Sequence, residues 1–260
     1  MKSSSVAIAF LFSICLAVLS ACGGGGGGDL TGREIGGDEL ERALRSVVEN
    51  DLAIMVLPQE NLGDEFADLE TDEDSGFVDN QEAADGTIDP DDTASDLEQA
   101  GRINGYELSY TDTSLSALEA GEGVVVVATD VNLFRDVGAA SDFLAKEADD
   151  HQRFEGKEIR PGLILEEVET FAVDGLGDEA IGLRARASLG DAKLYLTSIS
   201  FRLDRLVGGA WLFRADDASV NSQVEAIARA LEERIKDVLL GDIGEVPVPQ
   251  AEEEEASPTE

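Results

Sequence analysis

The sequence predicts an α+β fold: one antiparallel β-sheet, largely a meander, packed against helices as an α/β sandwich. Three observations predict it. From Asn104 onward, strand-like runs rich in β-branched residues replace the loops and short helices of the first hundred residues. Four of those runs are joined by turns too short for a crossover, so their neighbours must be antiparallel hairpins. Helical patterns stand apart from the strand runs and do not alternate with them, which argues against a parallel βαβ design.

The first element is not part of that fold. Lys2 gives a short basic start, and Val6 to Leu19 is uncharged and almost wholly apolar. That run is too short to span a bilayer as a helix of about 20 residues, and it has the form of a secretory h-region. It ends in Leu19-Ser20-Ala21-Cys22, an aliphatic residue, two small residues and a cysteine. This pattern resembles the lipobox of bacterial lipoproteins. The resemblance implies removal of residues 1–21, a lipid on Cys22 and an anchor on the extracytoplasmic side of a cell membrane or envelope. Cys15, the other cysteine, lies in the segment that would be removed, so the mature chain has no internal disulfide. Acyl chains contribute about 0.8 kcal/mol per buried CH₂, so two or more hold where one is marginal.

Gly23 to Gly28 follow. A glycine-rich chain is a flexible coil with a reach of about 5–6 Å × √n, so residues 22–37 read as a tether of roughly 20 Å. A phosphate-cradling loop would need a strand before it and a helix after it, and here a leader precedes it.

Residues 38–241 read as a single domain with an acidic N-terminal portion, 38–101, and a sheet-plus-helix part, 102–241. "GDELERALRSVVEN" is an amphipathic helix through Leu40, Leu44, Val47 and Val48. "LAIMVL" extends that helix or forms a strand. Glu60 to Glu70 is weakly helical, Thr71 to Asp92 an irregular acidic loop, and "DDTASDLEQAGR" a short helix capped by Asp92 and stopped by Gly101. "YELSYTD" and "GVVVVATDVNLF" are strands, and a helix begun by Ser141 follows. "GLILEEVETFAV", "EAIGLRARAS", "KLYLTSISFRL" and "RLVGGAWLFRA" form the meander. In the third of these, Tyr195, Ile199, Phe201 and Leu203 face one way, and Ser198, Ser200 and Arg202 the other. That alternation predicts one well-buried sheet face. The last helix carries Val220, Val224, Ile227, Leu231, Ile235 and Val238 on one side and stops at Gly241. Residues 242–260 are a disordered acidic tail.

Gly105-Tyr106, "DVGAASDFLAKEA", "DGLGDEAIG" and "ISFRLDRLVGGAWLF" together resemble the PsbP/Mog-like lipoproteins and the extracytoplasmic sensor domains of bacterial kinases. The resemblance runs from Gly101 to Leu240, about half the chain. It implies a small α/β sandwich used for binding or as an assembly accessory, not for catalysis. The acidic N-terminal portion departs from that pattern, as does the Arg205-bearing last hairpin turn.

The formal charge is −37. Ser46 to Gly101 holds 18 acidic residues and no lysine or arginine. Nucleic-acid binding depends on basic residues that neutralise phosphates, so that class of partner is excluded. Anionic headgroups are repelled too, so the domain stands off the membrane on its tether. The stretch Asp68 to Asp92 is rich in oxygen ligands for Ca²⁺, but no glycine in it sets an EF-hand register: with Gly76 at the sixth position, Thr71, Glu73 and Ser75 take the first, third and fifth.

No catalytic or cofactor motif is present. His151 is the only histidine and lacks the partners of a zinc site; its helical position predicts a surface residue. There is no Gly-x-Ser-x-Gly. One Trp and three Tyr provide little sugar-stacking surface for a two-carboxylate glycosidase. Trp211, beside Gly208-Gly209, reads as core. Arg184, Arg186, Arg202 and Arg214 each alternate with apolar residues. They form the candidate ligand or partner surface, either as a positive patch on the outer sheet face or as cross-strand ion pairs. The function expected is that of a membrane-anchored extracytoplasmic lipoprotein binding a protein partner or small ligand. The alternatives are a Ca²⁺-dependent structural or adhesion protein and an unrecognised hydrolase.

Overall fold

The computed structural model describes residues 37–243, apart from 90, 115 and 191. Cys22, the leader, most of the tether and nearly all of the acidic tail lie outside the described residues. Seven helices are described: α1 (Gly37–Ser46), α2 (Glu49–Met55), α3 (Asn80–Gly86), α4 (Ala94–Ala100), α5 (Ser116–Ala120), α6 (Val137–Phe154) and α7 (Asn221–Leu240). The strands are β1 (Glu70–Thr71), β2 (Gly76–Val78), β3 (Arg102–Thr111), β4 (Val124–Phe134), β5 (Glu158–Arg160), β6 (Leu163–Ala172), β7 (Glu179–Leu189), β8 (Ala192–Leu203) and β9 (Leu206–Arg214). They form one sheet in the order β1-β3-β4-β9-β8-β7-β6-β5, with β2 also paired to β3, and every pairing is antiparallel. The α+β sandwich and its four-strand meander are as predicted. Among the described residues no helix is long and apolar enough to cross a membrane.

The amphipathic stripe of α7 covers one sheet face. Val224, Leu231 and Ile235 are fully buried against Val127 and Val131 of β4, Ile199 and Phe201 of β8, and Leu212 of β9. Leu52 and Met55 of α2 complete this layer. The second face is also covered, which corrects the expectation of a single buried face. Trp211, Phe213, Leu183, Leu194 and Leu196 pack there in a second core. α6 crosses this face and touches β4, β6, β8 and β9. The serines and Arg202 of β8 point into this covered layer: Ser198, Ser200 and Arg202 are all buried.

Other differences have local causes. The first predicted helix breaks at Val47-Val48, and "LAIMVL" falls largely in the separate α2. Arg205 binds the carbonyls of Leu44 (3.3 Å) and Val47 (2.6 Å), and Asp51 accepts from Val48 N (2.8 Å). The unusual arginine in the last hairpin turn therefore secures the end of α1. The expected acidic loop contains α3 and two short strands, β1 and β2, each paired to β3. Asp79 accepts from Gln81 N and Glu82 N, and Glu82 accepts in return from Asp79 N, a reciprocal cap. Thr93, not Asp92, caps α4, and Asp136, not Ser141, opens α6. His151, expected on the surface, is buried at 2% exposure. It lies two helical turns from Leu144, on the side of α6 that meets the sheet.

Candidate functional site

α4 and α6 flank a groove of about 510 Å³. Chain geometry places them there. α4 ends at Gly101, whose φ of 97° needs no Cβ, and β3 starts at the next residue. α6 starts just past the end of β4, where Asp136 accepts from Ala139 N at 2.9 Å. Because β3 and β4 are neighbours, both helices leave the same end of the sheet. Ile88, Leu97, Ala139 and Phe143 form the apolar floor.

The rim is charged, with five aspartates and two cations among the lining residues. Lys146 reaches Asp92 at 2.8 Å and Asp150 at 2.6 Å. Burial works against its ammonium, but the bonds to Asp150 and Asp92 outweigh burial and hold its pKa above the ordinary lysine value. At the other end Arg135 pairs with Asp136 at 3.3 Å. The Thr93 hydroxyl and amide bind Asp96 and lower its pKa. Among the described residues Asp142, exposed beside Phe143, takes no hydrogen bond or ion pair.

Below the groove, ligand atoms of Asp89, Asp92 and Asp150 lie within 4.8 Å of one another. Two of these three come from the oxygen-rich stretch singled out in the sequence. The chain supplies its own cations there: Lys146 on Asp92 and Asp150, and Arg153 on Asp89 and, at 2.8 Å, on Asp150.

The four predicted arginines divide. Arg184, Arg186 and Arg214 lie on the α7 side of the sheet, where Arg214 stands opposite Tyr195 and Tyr195 opposite Arg186. Arg202 points to the other face, which corrects the expectation of one shared face. Each is ion-paired: Arg184 to Glu169, Arg186 to Glu166 and Glu167, Arg202 to Asp178 and Glu179, and Arg214 to Asp216. Arg184 also stacks on Phe171, 5.0 Å from the ring centroid. Glu166, bonded by Lys193 and Arg186, is held down to a pKa of about 2.

A second polar cluster lies inside the α6 face. Glu107 of β3 stands directly opposite Asp130 of β4, and both are buried. Burial pushes Asp130 up to about 7, against the pull of Arg102, Asn132 and Trp211. Burial, with the nearby Asp130 and Asp72, raises Glu107 well above the ordinary range. Asn132 donates to Asp130 at 2.6 Å and accepts from Arg102 at 3.0 Å. Arg102 also binds Asn80 and the Val78 carbonyl, so it ties α3 and β2 to the sheet. Gly209 lies under the Asp130 carboxylate, and a Cβ there would overlap Oδ1. Trp211 is core, as read from the sequence.

Sequence reading missed the groove, because its walls come from two segments some 40 residues apart. The Asp130 cluster did leave a signal: one acid in the middle of the otherwise uncharged run Val124–Phe134.

No protein-family model matches the chain, and no curated protein is significantly similar to it. Among solved structures it is similar to the extracellular domain of PknH from Mycobacterium tuberculosis, at 14% sequence identity and a TM-score of 0.45, over 74% of this chain and 97% of that one.

Proposed function

We propose that this protein is a lipid-anchored, extracytoplasmic binding domain with no reaction of its own, and that the α4–α6 groove receives its ligand. The groove carries the reading: a concave apolar floor with a few fixed charges at its rim is the usual form of a small-ligand site. The leader and Cys22 support the anchor, and the tether gives the domain freedom to stand off an anionic membrane. The arginine faces fit cross-strand support better than anion capture, since each guanidinium already has a carboxylate.

Two experiments test the reading. In the producing cell, the wild-type chain takes up labelled palmitate and stays with the membrane fraction, and Cys22→Ala loses both. Uptake by the variant contradicts the anchor. For the groove, backbone NMR of the full chain is recorded with octylammonium, octanoate and octyl glucoside added in turn. At least one probe moves signals confined to residues 92–100 and 135–146. Shifts confined to another region, or none with any probe, contradict the groove.

A Ca²⁺-dependent role is favoured by one observation, the convergence of Asp89, Asp92 and Asp150. It requires Ca²⁺ to displace Lys146 and Arg153. A thermal melt with Ca²⁺, Mg²⁺ or matched NaCl separates the readings: equal shifts mean screening, and a rise specific to Ca²⁺ supports the ion site.

A further inference from the structure

We propose that the groove selects an amphiphilic organic cation, a small molecule with an ammonium or guanidinium head on an apolar body. This rests on the groove being the binding site. Three observations narrow the class.

The first is the floor. Leu97 and Phe143 present buried apolar surface between two helices, with Ala139 between them and Ile88 at the side. A ligand's apolar body packs against the small part of these side chains that still faces the groove, and each of its methylenes so buried contributes about 0.8 kcal/mol.

The second is the state of the groove's own cations. Lys146 is held by Asp92 and Asp150, and Arg135 by Asp136. An anionic amphiphile, such as a fatty acid, would have to break one of these pairs to gain a partner. It would also approach two further carboxylates, Asp96 and Asp142, and like charges in a partly desolvated site repel.

The third is the carboxylate left over. Asp142 stands at the lip next to Phe143 and is engaged by no other described residue. Asp96 faces the groove from α4, hydrogen-bonded by Thr93 and within the field of Lys146 but in no ion pair with it. A cation whose apolar body lies along Leu97 and Phe143 can place its head between these two aspartates. The chain's charge of −37 draws such a ligand in from a distance.

The test is calorimetric titration of the full chain at low salt with octylammonium, hexylammonium, octanoate and octyl glucoside. Octylammonium binds, and octanoate binds at least tenfold more weakly. Shortening the chain by two methylenes weakens binding about tenfold. The exposed-side-chain variant Asp142→Asn weakens octylammonium about three- to fivefold and leaves octyl glucoside unchanged. If octanoate or octyl glucoside binds as tightly as octylammonium and shifts the groove signals, the groove stands and the selection for cations is wrong. If octylammonium binds but Asp142→Asn and the Asp96→Asn/Asp142→Asn double variant leave it unchanged, the head position is wrong. If no probe binds, the groove reading fails together with this inference.

Discussion

The two faces of the sheet are built from the same strands and do different work. Toward α7 the strands offer Val127, Val131, Ile199, Phe201 and Leu212, and α7 answers with Val224, Leu231 and Ile235, all buried. Toward α6 the same strands offer Asp130, Asn132, Ser198 and Ser200 beside Trp211 and Leu196. The apolar face packs tightly with few polar groups to satisfy; Thr129, between Val127 and Val131, accepts from Leu57 N. The mixed face buries the charged groups Asp130, Glu107 and Arg202, and it carries the groove at its edge. From this contrast we expect stability to be concentrated on the α7 side and local opening to cost less on the α6 side.

The largest effect is expected where that contrast is sharpest. Leu231→Ala removes a fully buried side chain from the α7 layer and should cost about 2–5 kcal/mol, read from the urea midpoint. A cost below about 1 kcal/mol would break the contrast.

The second prediction concerns pH. With its pKa raised to about 7, folded Asp130 keeps its proton between about pH 4 and pH 7, while the unfolded chain releases it. The folded state then binds more protons, so stability falls as the pH rises through this window. Arg102, Asn132 and Trp211 face Asp130, and Glu107 adds a second raised carboxyl with Asp72 and Asp74 beyond it. His151 is also buried against this face. Asp130→Asn should remove up to about 4 kcal/mol of the loss between pH 4 and pH 8. His151→Gln should leave that part of the loss in place. An unchanged slope in Asp130→Asn would remove the buried carboxyl from the account. Asp216, on the other side, has the opposite sign: the bond from Arg214 depresses its pKa. Its contribution is present above about pH 4 and is lost as the pH falls further.

A third test compares arginines across the faces. Arg202 is buried and holds two carboxylates, whereas Arg186 is about two-fifths exposed. Arg202→Met should cost about 1–3 kcal/mol and Arg186→Met less than about 1 kcal/mol, both from denaturant midpoints. Equal costs would mean that burial does not distinguish the two sides.

How far the sequence foretold these faces follows from the range of each signal. The α7 stripe and the meander were legible because they depend on spacing within one segment. The break at Val47-Val48 was not, because Arg205, about 160 residues away, holds the ends of those turns. The strand alternation in β8 marked Ser198, Ser200 and Arg202 as one side, but polar residues on a strand read as solvent-facing until their cover is known. That cover is α6, and its burial of His151 escaped the reading for the same reason. Gly208-Gly209 is explained only by neighbours across strands. A Cβ on Gly208 would come within 2.7 Å of the Phe201 ring on one face, and one on Gly209 would meet Asp130 on the other. Of the candidate site residues, all four arginines lie on strands and pair with carboxylates, but Arg202 faces away from the other three. The groove arises only when two helices meet.

The most direct test of the groove is to fill it. Gly138 lines the groove in the first turn of α6, and the nearest atom to a Cβ there is Asp136 Oδ1, at 3.3 Å. Gly138→Phe therefore sets a ring at the groove, against the buried Leu97, Ala139 and Phe143 cluster that floors it. The measurement is the octylammonium isotherm of this variant beside the wild type, with a thermal melt of each. The account predicts at least a tenfold loss of affinity with no drop in melting temperature. Undiminished binding to a folded Gly138→Phe protein would contradict it.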